Sequence, residues 1–404
     1  MSRHWVFIVS SSDTEQSYNV IIVGAGLAGC TAAILYARKG LSVALVERQP
    51  TSDSYKQLCT HFLQPGAIPV LKELGIHDEV LAAGGLPSDM HVRTRWGAFT
   101  VPHPGRHRGL NIRRSLLDPL MHKTVSEEKN VDCYWGAKVT DLHRTGHRVT
   151  GIITRNRQGQ ERFLSAPLTV AADGRQSAMA GLAGLPCRET PNERFAHYAY
   201  FRGLPRYPDN NVQVWIADEG SGYVAAFPNN DDLTLVSCYV PRSRLADWQG
   251  RIEQRYLEFV GQQQEGPDLS QGTRVSDIMG MRKMPSLTRP RTLPGLALTG
   301  DAAMAIDPLA GIGCTWAMQS ARQLVRCTAS TLINDRSQAR LDAALARYRW
   351  QHSLRFGPQF FILSRFSRAK PYHPATRWLL KCVARLLSRS RDRRASQLAD
   401  VTRQ

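Results

Sequence analysis

The stretch Asn19-Val20-Ile21-Ile22-Val23-Gly24-Ala25-Gly26-Leu27-Ala28-Gly29 runs from an apolar segment straight into a glycine-rich turn, and the helix-favouring segment Cys30–Lys39 follows at once. A strand, a G-x-G-x-x-G turn and a helix in that order cradle the pyrophosphate of a dinucleotide. Gly24 permits the tight turn, Gly26 lets backbone N–H groups approach the phosphates, and Gly29 lets the helix pack closely on the strand. The helix N-terminus adds partial positive charge. A second strand, Leu41–Val46, ends at Glu47, 18 residues past Gly29, where an acid reaches the ribose hydroxyls.

At 404 residues the chain holds one large or two ordinary domains, and its apolar fraction of 42% is that of a globular protein. No apolar run reaches the roughly 18 residues of a spanning helix. The start, Met1–Gln16, lacks a secretory h-region and cleavage site and reads as a loosely attached leader. Eight scattered cysteines without a C-x-x-C pair fit reduced thiols in a cytoplasmic protein. The net charge of +18 is uneven: Arg347 to Gln404 holds 14 Lys/Arg against Asp392 and Asp400, a balance of +12, which leaves +6 for everything before it.

Residues 18–75 alternate strand and helix, as a parallel sheet requires. The segment Leu58–Gly75 reads as a loop entering a helix. Leu110–Arg113 leads into a helix over Ser115–Lys129, with Ser115 as its N-cap. The spacing predicts an antiparallel meander of Cys133–Trp135, Lys138–His143, Val149–Arg155 and Gln160–Leu164, then an apolar strand, Leu168–Ala172, before Asp173-Gly174. From about 186 to 284 the strands are short, aromatic and β-branched: Phe195–Arg202, Val212–Ala217, Gly222–Pro228 and Leu233–Val240. They predict an antiparallel sheet with one face open to a ligand. The apolar strand Leu296–Thr299 then returns the chain to the first unit, and residues 336–404 read as helices.

The second decisive signal lies about 270 residues after the first: Thr299-Gly300-Asp301-Ala302-Ala303, followed by Asp307-Pro308-Leu309-Ala310-Gly311-Ile312-Gly313. A strand ending at Gly300 puts Asp301 at the carboxyl edge of a sheet, where α/β folds bind ligands, within reach of ribityl hydroxyls. The turn that follows opens another helix, Cys314–Val325, whose free N–H groups suit the pyrimidine end of an isoalloxazine. A nicotinamide dinucleotide would not need this distant second clamp. Between the two lies Asp173-Gly174-Arg175-Gln176-Ser177, a weak signal alone that gains meaning from its place.

These three motifs, in order and spanning the chain to about residue 335, resemble the flavoprotein monooxygenases of the para-hydroxybenzoate hydroxylase type. The resemblance implies an α/β architecture: a Rossmann-type FAD-binding domain with an inserted antiparallel β-sheet substrate domain and a helical C-terminal tail. The expected division is a leader at 1–17, FAD-binding segments at 18–75, 105–185 and 285–335, substrate segments at 76–104 and 186–284, and a basic helical region at 336–404. By the same match Gly24, Gly26, Leu27, Ala28, Gly29, Glu47, Arg48, Arg114, Val139, Asp173, Gly174, Gly300, Asp301, Pro308, Gly311, Ile312 and Gly313 become FAD-site candidates. Met304 stands where the aromatic hydroxylases usually have His. Asp307-Pro308 and Gln319-Ser320 are closer to the geranylgeranyl reductases and flavin-dependent halogenases of the same superfamily. The strand Gly222–Pro228 resembles a degenerate form of the reductases' aromatic-x-Trp-x-Phe-Pro strand, with Ala225 in place of Trp, and the halogenases' Trp-x-Trp-x-Ile-Pro motif is absent.

No metal constellation stands out, so the chemistry would be the cofactor's. The resemblance implies that reduced FAD activates oxygen for an apolar substrate, with electrons from NAD(P)H directly or from a partner flavin reductase. His61 lies in the segment that faces the flavin in relatives and is the catalytic candidate; Cys59 beside it reads as local packing. Tyr198, Tyr200, Trp215, Tyr223 and Phe227 are the expected lining of an apolar pocket suited to an aromatic small molecule. In the tail, Arg377, Lys381, Arg385 and Arg389 recur every four residues beside Trp378, Leu379, Cys382, Val383, Leu386 and Leu387. One basic and one apolar face suit packing on the enzyme, an anionic membrane surface or an acidic carrier protein. Nucleic acid is not an expected partner, since no reading motif accompanies the charge.

Overall fold

The computed structural model describes residues 16–95, 97–101, 107–216, 222–334 and 337–368. The leader before residue 16 and the basic repeat Arg377–Arg389 lie outside the described residues. A six-stranded sheet carries the glycine loop, in the order Thr292–Leu293, Leu296–Leu298, Leu168–Ala171, Val20–Val23, Val43–Glu47 and Val131–Trp135. Its strands run parallel except for the hairpin of the first two. Side chains alternate between two apolar layers. Val20, Ile22, Val43 and Leu45 pack under the helix Leu27–Ala37, whereas Ile21, Val23, Ala44 and Val46 face Val149, Ile152 and Leu164 of the neighbouring meander. A continuous apolar run is what a strand covered on both faces requires.

The segment Cys133–Trp135 leaves the expected meander and extends this parallel sheet beside Val43–Glu47. The meander itself is Lys138–Thr145, Arg148–Arg155 and Glu161–Ser165, with Gln16–Ser17 added at its edge. The local pattern of three residues is the same for either sheet; the tertiary partner decides.

The larger sheet has eight strands, with Arg194–Arg202, Leu233–Pro241, Tyr223–Pro228 and Val212–Ile216 paired antiparallel in that order. Val212–Ile216 also runs parallel to Met90–Thr94, so the sheet is mixed and not wholly antiparallel as expected. Met90–Thr94 pairs antiparallel on its other side with Gly97–Thr100, which ends the sheet at this edge. One face is closed by the helices Leu245–Trp248 and Ile252–Gly261 through Trp248, Tyr256 and Phe259. The other face, which includes Met90, meets Phe62. A small three-stranded sheet, Arg188–Thr190, Ser286–Thr288 and Met304–Ala305, ties the returning chain to the acidic second motif. Two long helices, Gly313–Asn334 and Gln338–Phe366, finish the described chain.

Candidate active site

The first loop has the shape its sequence demands. Gly24 sits at φ +102, where a Cβ would lie 2.6 Å from the Ala172 carbonyl oxygen, and a Cβ on Gly29 would lie 1.8 Å from the Gly24 carbonyl oxygen. Neither position admits a larger residue. A Cβ on Gly26, by contrast, would meet nothing within 4 Å, so that position opens onto free space. The helix Leu27–Ala37 starts there with no side-chain cap and no acid in its first turn, leaving its N-terminal N–H groups to an external anion. Glu47 closes the other side: its carboxylate accepts the Ala25 N–H at 2.7 Å and the Gln49 N–H at 2.9 Å. Arg48 borders a shallow hollow with Lys138 and Thr140 beyond the end of this strand, and Val139 between them is buried.

Asp173 abuts the same loop through its backbone, since the Gly24 Cβ would lie 2.9 Å from its Cα. Its carboxylate is engaged locally, accepting from Ser177 Oγ at 2.7 Å and from the Met179 N–H at 3.0 Å. Burial raises its pKa above the ordinary range. The next residue but one was not singled out from sequence, yet Arg175 donates to the carbonyls of Pro285 and Ile306, and Arg289 donates to those of Ala302 and Arg175. These two guanidiniums hold the second motif against the first.

The second motif is pinned from the helix behind it. The Gly300 N–H donates to Ser320 Oγ at 3.0 Å, and Asp301 pairs with Lys56 at 3.3 Å while remaining partly exposed. Asp307 is buried at 1% exposure. One carboxylate oxygen accepts from the Leu309 N–H at 2.8 Å and the Tyr223 hydroxyl at 3.1 Å; the other accepts from Asn192 Nδ2 at 2.7 Å and faces Arg194 at 3.4 Å. It therefore fixes the turn Pro308–Ala310 onto the large sheet, and Gly311, Ile312 and Gly313 follow as the entry to the helix. As at Gly26, a Cβ on Gly313 would meet nothing within 4 Å.

Arg114 begins the helix Arg114–Glu127, whose N-cap is Arg113 and not Ser115. The reason is tertiary. The Arg114 N–H, one of the first-turn donors that has no partner within the helix, donates to His61 Nδ1 at 3.1 Å. The Arg114 guanidinium is buried against Asp118; burial opposes its charge, but the Asp118 carboxylate together with the sulfurs of Cys314 and Cys59 outweighs that penalty and raises its pKa. His61 is itself buried and lies at φ +64, a left-handed conformation that costs a non-glycine residue energy and clusters at functional sites. Its Nε2 faces the Tyr200 hydroxyl. Burial and the neighbouring Cys59 push the Tyr200 phenol up to about 12, so it stays protonated at neutral pH.

Of the five expected lining residues, Tyr198, Tyr200, Tyr223 and Phe227 share the sheet face that meets Phe62. Trp215 does not. It points to the opposite face beside Trp248 and Phe259 and donates its indole N–H to the Glu265 carbonyl at 2.9 Å. On the shared face the Tyr223 hydroxyl is spent on Asp307, whereas the Tyr198 hydroxyl is buried with no hydrogen-bond partner. Among the described residues no group of three His, Cys, Asp or Glu could hold a metal ion.

The geometry is compatible with a flavin dinucleotide: helix entries at Gly26 and Gly313 where a Cβ would meet nothing within 4 Å, and two carboxylates, Glu47 and Asp301, at the carboxyl edge of one sheet. These features define a FAD-binding oxidoreductase. The chain belongs to the FAD binding domain family, whose pattern it matches over residues 17–350. It is 26% identical over 330 residues to digeranylgeranylglycerophospholipid reductase of Picrophilus torridus, covering 80% of each chain. It is 27% identical over 345 residues to 6-methylpretetramide 4-monooxygenase of Streptomyces rimosus, covering 82% of this chain and 80% of that one. Among solved structures, its fold is similar to that of the myxobacterial chondrochloren halogenase, with a TM-score of 0.74, 24% identity and coverage of 92% and 90%.

Proposed function

We propose that the protein is a FAD-dependent monooxygenase that hydroxylates or epoxidises an apolar, aromatic small molecule of secondary metabolism, using O2 and NAD(P)H. The observation that carries the reading is the apolar sheet face above the cofactor loops, where one buried hydroxyl, Tyr198, lacks a partner within the protein. A buried unpartnered hydroxyl costs free energy, and a polar group on a bound substrate would offset it. Bound FAD supplies the two-electron redox and oxygen chemistry. The N–H groups around Gly26 would hold its pyrophosphate, Glu47 and Asp301 would hold its hydroxyls, and the helix entry at Gly313 would offer N–H groups to its ring.

The chain's own part is positioning and proton movement. With Nδ1 engaged by the Arg114 N–H, neutral His61 carries its proton on Nε2, so it donates toward Tyr200 and frees the Tyr200 proton for the substrate pocket. The wall of Phe62, Met90, Tyr223 and Phe227 excludes water from the reacting atoms. The test is oxygen uptake by the FAD-loaded protein with NADH or NADPH across phenols, indoles and polyenes. Product that contains oxygen from O2 supports the proposal; product formed only without oxygen rejects it.

The second reading is reduction of an isoprenoid-like double bond. It is favoured by the Asp307–Tyr223 contact, which joins the two sequence features that resemble the reductases. We also propose that an anionic membrane surface is a partner. Trp350, Leu354, Phe361 and Ile362 are exposed on the helix Gln338–Phe366, which leads into the basic C-terminal region. No described helix is long and apolar enough to cross a membrane. Sedimentation with anionic but not neutral vesicles is the expected result; no sedimentation at low salt rejects it.

A further inference from the structure

The two cysteines at the mouth of the site come from segments 255 residues apart, yet Cys59 Sγ and Cys314 Sγ lie 3.6 Å from each other. Cys59 precedes His61 by two residues, and Cys314 is the second residue of the helix Gly313–Asn334. Both are free and neither is fully buried. A disulfide needs a sulfur separation of about 2.05 Å, so an approach of about 1.5 Å closes the pair. A side-chain shift of that size is small beside ordinary rotamer motion.

The surroundings favour thiolate at one sulfur only. The His61 backbone N–H points at the Cys59 sulfur at 3.3 Å. The hydrogen bond from the Cys314 thiol, with the His61 ring and the Arg114 charge nearby, holds Cys59 below the usual thiol range despite burial. The same contact keeps the Cys314 thiol protonated and above that range. The Arg114 guanidinium lies 3.9 Å from Cys314 Sγ, and the helix N-terminus adds positive potential. A nucleophilic thiolate next to a protonated resolving thiol is the arrangement of a two-cysteine redox site.

We propose that Cys59 and Cys314 form a reversible dithiol–disulfide site that hydrogen peroxide oxidises. The Cys59 thiolate attacks one peroxide oxygen and the O–O bond breaks, giving a sulfenic acid and, after protonation, one water. The Cys314 sulfur then attacks the sulfenic sulfur, the S–S bond forms, and the Cys314 proton leaves with the hydroxide as a second water. Two thiols and one peroxide thus become one disulfide and two waters, and an external dithiol reverses the step. Closure ties the segment that carries His61 to the entry of the helix that carries Gly313. This site is independent of which substrate the enzyme takes.

The test uses the full-length protein loaded with FAD. It is treated with one equivalent of hydrogen peroxide, alkylated, and digested without reductant for mass spectrometry. The expected result is a peptide pair joined through Cys59 and Cys314, lighter by two hydrogens than the reduced pair and released by dithiothreitol. Recovery of both cysteines alkylated, or of Cys59 as sulfinic acid with no cross-link, overturns the proposal. In C314S the Cys59 sulfenic acid should be trapped by dimedone. In C59S the Cys314 thiol should stay reduced, and its oxidation at the wild-type rate would also overturn the proposal. FAD absorbance of both variants reports that they are folded, and the wild-type peptide map decides the question if either is not.

Discussion

His61 Nδ1 accepts the Arg114 N–H at 3.1 Å while its Nε2 faces the Tyr200 hydroxyl, so a single ring links the start of the helix Arg114–Glu127 to the eight-stranded sheet. That link fixes the tautomer. Replacing His61 with Ala is expected to cut turnover at least about tenfold, within the range of lost general acid–base catalysis. Tyr200→Phe should do the same, with FAD content unchanged in both. Because His61 occupies a left-handed conformation, His61→Asn serves as the control for backbone strain. Unchanged turnover in Tyr200→Phe would remove the pair from the mechanism.

The glycine loop separates folding from binding. A side chain at Gly29 would overlap the Gly24 carbonyl, so Gly29→Val should lower the melting temperature sharply or prevent folding. A side chain at Gly26 would meet no protein atom and should leave the apoprotein folded, while filling the space the pyrophosphate needs. Gly26→Val is therefore expected to give a colourless, folded protein, checked by circular dichroism together with the visible spectrum. A yellow Gly26→Val protein would place the phosphates elsewhere.

Asp307 is a buried carboxylate with four partners, among them the Arg194 guanidinium, itself buried. Removing it leaves a charge without compensation. Asp307→Ala is expected to destabilise the fold by about 3–5 kcal/mol, read as a lowered urea midpoint. Asp307→Asn keeps acceptor capacity toward Leu309 and Tyr223 and should cost less. An Asp307→Asn protein as stable as the wild type would show that the charge on Arg194 is not what Asp307 answers.

The cofactor half of the fold is legible in the sequence because its signals are local: apolar runs, a glycine turn, an acid at a fixed distance. The eight-stranded sheet is legible as strands, but the face each residue takes is not. In Val212–Ile216 the even-numbered Val212 and Val214 look toward Phe62, while in Tyr223–Pro228 the odd-numbered Tyr223 and Phe227 do. That parity depends on the connection between the strands, which is why Trp215 was expected in the pocket and lies behind it. The start of the helix Arg114–Glu127 and the Cys59–Cys314 pair both depend on contacts between distant segments, and no local pattern encodes them.

Stability toward acid should depend on His352, which is buried beside Tyr348 and Phe356. Burial, helped by the Arg291 charge, lowers its pKa from 6.5 to about 3. The folded state therefore excludes a proton that the unfolded chain takes up below 6.5, and stability falls as the pH drops through the window from 6.5 toward 3. Between pH 6.5 and 5 the loss is about 2 kcal/mol. His352→Gln should flatten this part of the melting-temperature profile; a slope equal to that of the wild type would assign the acid sensitivity to other groups.

Tyr198 gives opposite signs for stability and binding. Its hydroxyl is buried without a partner, so Tyr198→Phe removes an unsatisfied group and should leave the melting temperature unchanged or raise it. If that hydroxyl meets a polar group of the substrate, the same change should raise KM about tenfold or more with kcat little altered, the signature of lost binding shared by ground and transition states. Kinetics on any substrate that passes the oxygen-uptake screen decide this. A Tyr198→Phe protein that is as stable as the wild type and has its KM would mean that the substrate's polar end points away from this strand, toward the His61–Tyr200 side of the pocket.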